Sequence, residues 1–116
     1  MRSDKPRIIT PTVVVQGRPT TISCISTNGY PQQTLEWYSG TVSSATRLSN
    51  STTVVDVLEA GLFSVTSTLI FTPTEAGDGV VFICQSSYSD EPRLIEQEHV
   101  VVNVASKLSE KSEVLN

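Results

Sequence analysis

The sequence predicts an all-β fold, and three observations carry that prediction. Valine and threonine fill short runs in which apolar and polar residues alternate, the period of a strand with one buried face. Helix-length apolar periodicity is absent, and Gly, Pro, Asn and Ser break the runs. The only two cysteines lie in such runs, Thr20-Thr21-Ile22-Ser23-Cys24 and Val80-Val81-Phe82-Ile83-Cys84, and the only tryptophan stands between them in Leu35-Glu36-Trp37-Tyr38.

Residues 1–6 carry charge without pattern and read as a linker, so the domain is expected over 7–104. The first strand is 8–15. Pro11 has no amide proton for a ladder, which places this strand at a sheet edge or makes it switch sheets there. Gln16-Gly17-Arg18-Pro19 turns the chain into a second strand, 20–26, with Thr20, Ile22 and Cys24 inward. Residues 27–33 form a loop by their Asn-Gly and Tyr-Pro pairs. A third strand, 34–39, points Leu35 and Trp37 inward and Glu36 and Tyr38 outward.

Residues 40–50 are mostly Ser and Thr with isolated Val42 and Leu48, which supports only a weak strand. A further strand over 52–59 ends at Ala60-Gly61. Residues 63–71 alternate with Val65, Leu69 and Phe71 inward. The breakers in 72–79 make a connection, and strand 80–84 follows with Val80, Phe82 and Cys84 inward. A hairpin tip near Ser89-Asp90-Glu91-Pro92 leads to a last strand, 94–104, with Val100, Val102 and Val104 inward. Residues 105–116 lose the alternation and read as a tail or a lead into a following domain.

A length of 116 residues fits one domain and is too short for a catalytic cleft between domains. The net charge of -4 is interspersed, with no Lys/Arg cluster, so nucleic acid and anionic membrane are poor partners and a protein or glycan is expected. No apolar stretch approaches the ~20 residues that span a bilayer, and Met1-Arg2-Ser3-Asp4 lacks the apolar core of a secretory signal. A domain from within a larger ectodomain is expected to look like this. Two strand-borne cysteines, in place of a Cys-x-x-Cys pair, suit an oxidising compartment. His99 is the only histidine, with no Ser-His-Asp set, His/Cys metal set or Gly-rich phosphate loop around it. The expectation is therefore no enzyme, no cofactor and no metal; Asp90 and Glu91 read as solvated acids on a hairpin tip.

Cys24, Trp37, the segment 67–74 (Ser-Thr-Leu-Ile-Phe-Thr-Pro-Thr) and the segment 78–84 (Asp-Gly-Val-Val-Phe-Ile-Cys) together resemble the immunoglobulin superfamily. The closer resemblance is to the C2-like set of CD80, the nectins and the nephrin and irregular-chiasm adhesion receptors, over roughly 11–104. It implies an immunoglobulin-like two-sheet sandwich with one inter-sheet disulfide, Cys24 to Cys84. Trp37 would pack beside that bridge, with Leu69, Phe71 and Phe82 in the core. It also implies an extracellular domain, secreted or on a membrane-anchored parent, in cell adhesion or immune recognition. Two departures stand out. Phe82 occupies the position where many members have a tyrosine whose hydroxyl bonds into the corner after the fifth strand, so Asp78 or Thr74 is expected to reorganise that turn. The last strand lacks the Gly-x-Gly bulge of antibody variable domains, which argues against antibody-like chain pairing.

In that family the strands called C, F and G, here 34–39, 80–84 and 94–104, are neighbours. The parity that buries Phe82 and Cys84 turns Val81 and Ile83 outward, together with Tyr38 and Val101. These four, rimmed by Glu36, Gln85, Gln97, His99 and Asn103, are expected to form one apolar patch for a protein partner, another immunoglobulin-like domain bound homophilically or heterophilically. Tyr30 and Tyr88 are expected as anchors on loops at one end. Asn50-Ser51-Thr52 is the only Asn-x-Ser/Thr tripeptide and marks Asn50 for glycosylation. Two further roles fit the same sequence: a structural spacer in a multi-domain ectodomain, and a soluble immune effector that binds a ligand through its loops.

Overall fold

The computed structural model describes residues 3–11, 14–40, 46–73 and 77–106, the last segment without the side chains of 77–79. The strands in chain order are β1 (Arg7–Ile9), β2 (Val14–Val15), β3 (Thr20–Gly29), β4 (Thr34–Ser39), β5 (Thr46–Leu48), β6 (Ser51–Val57), β7 (Phe63–Phe71), β8 (Gly77–Tyr88) and β9 (Glu91–Ala105). They form a four-stranded sheet, β1-β3-β7-β6, packed on a five-stranded sheet, β2-β9-β8-β4-β5. The first strand divides at Pro11. β1 runs antiparallel to β3, with Ile8 opposite Cys24, and β2 runs parallel to β9, with Val14 opposite Val104. Proline between the two halves spares each ladder a missing donor.

Side-chain alternation builds the core from both inner faces. Ile22 and Cys24 of β3 and Val65 and Leu69 of β7 meet Leu35 and Trp37 of β4, Phe82 and Cys84 of β8 and Val102 and Val104 of β9. The two sulfurs are bonded at 2.02 Å, with no free cysteine remaining. Trp37 is buried, and its Nε1–H donates to Ser67 Oγ on the opposite sheet at 3.0 Å. Serine fits here because a buried indole N–H left without an acceptor costs about 1–3 kcal/mol. Phe71 is only partly buried; it closes one end of the core against Phe82, ring centroids 4.6 Å apart. The corner that lacks a tyrosine hydroxyl still engages a carbonyl, since Pro73 O accepts from Gly17 N–H at 2.8 Å. Thr74 and the side chain of Asp78, expected to act there, lie outside the described residues.

The opposite end is held by Gln33, which is fully buried. Its Nε2 reaches Ser26 O at 2.9 Å, Ser26 Oγ at 3.1 Å and Phe63 O at 3.2 Å, tying the start of β4 to β3 and β7. Its Oε1 lies against Gly29 and has no hydrogen-bond partner among the described residues.

Several boundaries differ from the sequence reading. β3 continues to Gly29 past a register shift after Ser26, where Asn28 takes a positive φ of 64°, and β8 continues to Tyr88 because its inward alternation persists; turn-forming residues had suggested loops at both places. Tyr88 pairs with Glu91, which leaves Ser89 and Asp90 as the hairpin tip. The strand expected over 52–59 is Ser51–Val57, and the weak strand within 40–50 is Thr46–Leu48, with 41–45 outside the described residues. Residues 3–6 are packed on the sandwich, whereas the sequence suggested a linker. Pro6 and Ser3 are buried, Asp4 N–H donates to Thr27 O at 2.9 Å, and Lys5 Nζ lies 3.6 Å from Glu98 Oε2.

Replacing Cys24 and Cys84 together by Ala should lower the unfolding free energy by about 4 kcal/mol, the loop-closure value for a bridge spanning 60 residues. Denaturant titration would read this as a lower midpoint. Gly29→Ala would drive a methyl into the Gln33 amide, which three acceptors hold in place. It should cost about 1–3 kcal/mol in the same assay.

Candidate protein-binding face

The outward side chains of β4, β8 and β9 fall into rows set by strand register. In one row Tyr38, Ile83 and His99 stand side by side, with Arg47 of β5 beyond Tyr38. In the next, Val81 faces Val101. On the other side of the first row, Glu36, Gln85 and Gln97 align. That third row is polar, bonded within itself and to Arg47 of the first row. Gln97 Nε2 donates to Gln85 Oε1 at 2.8 Å, and Arg47 Nε lies 2.9 Å from Glu36 Oε2.

The register thus brings Tyr38, Val81, Ile83, Val101, Gln85 and His99 onto one face, but they do not share one exposure. Ile83 is only 4% exposed, a departure from the exposed position expected for it. It belongs to the outer face and stands apart from the inter-sheet core. Its cover comes from neighbours on that same face, with Tyr38 and His99 across the strands and Val81 and Gln85 along its own. Val81 and Tyr38 are half-buried, His99 and Asn103 are exposed, and Val101 is 55% exposed. Ile95 shares the parity of Gln97, His99 and Val101 and is also exposed. The sequence reading passed over it, although extending the same alternation two residues back would have found it.

The two tyrosines expected on loops behave differently. Tyr30 is exposed beside Phe63, ring centroids 6.5 Å apart. Tyr88 is buried and offers no ring to a ligand. Its hydroxyl donates to Ser3 Oγ at 2.7 Å and accepts from Ser3 N–H. Parity explains this, because Tyr88 continues the inward series Phe82, Cys84, Ser86, and the N-terminal segment covers it.

Edge strand β6 holds a second apolar group that the sequence reading did not single out. Val54, Val55 and Val57 are exposed, on both faces of the strand. The signal was the run Val54-Val55-Asp56-Val57; what the sequence lacked was the position of β6 at a sheet edge. Among the described residues, no group of three or more His, Cys, Asp or Glu side chains is placed to hold a metal ion. No described helix is long and apolar enough to cross a membrane.

Comparison with known proteins agrees with this architecture. In fold the chain is similar to Rst D1-D2, at 22% identity and a TM-score of 0.76, covering 90% of this chain and 50% of that one. It is similar to a chain in the complex of ICOS with ICOS-L and an anti-ICOS-L VNAR domain, at 23% identity and a TM-score of 0.59, covering 81% of this chain and 44% of that one. It is also similar to the IgNAR antibody domain C3, at 19% identity and a TM-score of 0.58, covering 90% of this chain and all of that one. The chain therefore spans about half the length of the first two. A sequence search among curated proteins gives no match. Residues 6–94 match the family model of the CD80-like C2-set immunoglobulin domain, and with the sandwich, the Cys24–Cys84 bridge and the buried Trp37 in place, the chain belongs to that family.

Proposed function

We propose that this domain works outside the cell as a recognition module of an adhesion or immune-type receptor, without catalysis or a cofactor. Its partner is another immunoglobulin-like domain, bound against the outer face of β4, β8 and β9. An inter-sheet disulfide in a C2-set domain suits an oxidising, extracellular setting.

One observation carries the choice of face: the contrast between the outer sides of the two sheets. On the central strand β7 of the four-stranded sheet, the outward residues are Ser64, Thr66, Thr68 and Ile70. The apolar residues on that side, Ile9, Ile25, Val54 and Ile70, are never directly opposite one another; Ile9 and Ile25 meet only diagonally, and Ile25 and Val54 have Thr66 between them. On the central strand β8 of the other sheet, Val81 and Ile83 are adjacent outward residues, and their cross-strand neighbours include Val101 and Tyr38. Strand propensity favours threonine as readily as valine, so propensity alone does not explain why apolar residues cluster on one side only. A contiguous apolar centre with a polar belt has the anatomy of a protein contact. The fold-level neighbour from the ICOS and ICOS-L complex is in keeping with such a role. Recognition through loops is less favoured, because Tyr88 is buried.

Val101→Glu is the clean probe. At an exposed position it should change stability by no more than about 0.5 kcal/mol. It should also weaken partner binding or self-association at least tenfold, about 1.4 kcal/mol. Ile83→Glu is not equivalent, since placing a carboxylate at a covered position should cost about 3 kcal/mol or more of stability. Sedimentation velocity over a concentration series, with binding to a panel of immunoglobulin-like ectodomains, provides the readout. If folded Val101→Glu behaves as wild type in both assays, the face is not the contact. If wild type binds nothing and stays monomeric, the domain is a spacer.

A further inference from the structure

We propose that Asn50 carries an N-linked glycan that shields the free edge of β6. Between β5 and β6 the chain leaves one sheet for the other, and Ser49 and Asn50 are exposed in that crossing. The backbone there is fixed, because Asn50 O accepts from Ile70 N–H at 3.2 Å. Among the described residues the Asn50 side-chain amide has no hydrogen-bond partner. Thr52, which completes the acceptor tripeptide, is exposed. A groove of about 380 Å3 opens beside Asn50, lined by Leu48, Ile70 and Phe71 together with Ser39, Arg47 and Thr72, and leaves room for the first sugar. In the transfer, Asn50 Nδ2 bonds to the anomeric carbon of an oligosaccharide carried on a polyprenyl diphosphate. The sugar–phosphate bond breaks, the amide gives up one proton, and the lipid diphosphate leaves.

The need for a shield comes from β6 itself. It is the last strand of its sheet, it carries Val54, Val55 and Val57 exposed on both faces, and its only charge is Asp56. An edge of this length and composition, with no proline or lysine, is the kind that pairs with a second copy unless something covers it. A glycan on the residue immediately before the strand supplies that cover.

The modification rests on passage through a secretory compartment, as the proposed function does, and the experiment separates the two. Secretion from a eukaryotic host imposes the route, and mass analysis of the alkylated protein reports whether Cys24–Cys84 has closed. The expected result is added mass that peptide N-glycosidase removes and that Asn50→Gln and Thr52→Ala both lack completely. A secreted, disulfide-closed domain without that mass overturns the proposal and leaves the binding face untouched. Shielding is tested in the Val101→Glu background, which silences the other face. There the glycosylated domain should sediment independently of concentration, and the Asn50→Gln form should shift to faster species as concentration rises, a shift that adding Val57→Lys abolishes. Identical sedimentation of glycosylated and glycan-free forms overturns the shielding.

Discussion

The structure depends on one cross-sheet connection, the Cys24–Cys84 bridge with Trp37 beside it. Cys24 sits on β3 and Cys84 on β8, so the bond joins the two sheets at interior strands. Trp37 lies directly across from Cys84 in the ladder, and Ser67 directly across from Cys24. The indole-to-serine hydrogen bond therefore repeats, one strand over, the connection that the sulfurs make. Two cross-sheet links side by side fix the inward parity of β3, β4, β7 and β8 together. A one-residue slip in any of them would place a cysteine, an indole or a paired hydroxyl in the wrong layer.

That parity determines everything outside the core. Because Cys84 must face inward, Ile83 cannot, and an isoleucine on a central strand is left on the outer side. The chain covers it with Tyr38, His99, Val81 and Gln85 instead of with the other sheet. The outcome is a small apolar centre on a solvent-facing layer, nearly dry at Ile83 and open at Val101. A partner docking there would extend a packing arrangement already begun, with little side-chain reordering, and that lowers the entropic cost of association. The polar row Glu36, Gln85 and Gln97 is already bonded within the face or to Arg47, so it can border such a contact without leaving stranded charges.

Much of this was legible in the sequence. The alternation around Ile22, Cys24, Trp37 and Phe82 contained the strands, their inward faces and the core, and Pro11 marked the place where the first strand changes sheets. The alternation also determined which face Ile83 occupies, but not its cover, because cover depends on residues brought alongside by register between distant segments. Tyr88 was misread for a different reason. Its setting of Ser and Asp looks like a turn, and that local signal outweighed the parity it shares with Cys84 and Ser86. Gln33 had no signal at all: its neighbour Gln32 is chemically identical and exposed, and only the fold distinguishes them. Residues 3–6 likewise lack periodicity, since each packs by a different means: Ser3 on the Tyr88 hydroxyl, Asp4 on Thr27 and Asn28, Lys5 beside Glu98, and Pro6 by burial.

The arrangement of strands also separates the surfaces that different partners would use. In the five-stranded sheet β9 lies toward one edge and β5 at the other, with β8 and β4 between them. Val101 and Ile95 are on β9, whereas Asn50 follows β5 and begins the crossing to β6. A large polar group at Asn50 therefore stands across the sheet from the most exposed apolar residues of the contact face. It shares a groove with Arg47 and immediately precedes the β6 edge. On the proposed reading, a partner reaching the outer face would meet Val101 and Val81 from the β9 side, with Tyr38 at the inner limit of the contact. The exposed β6 edge and the proposed contact face are thus held on different sides of one small sandwich. The first can be closed without obstructing the second.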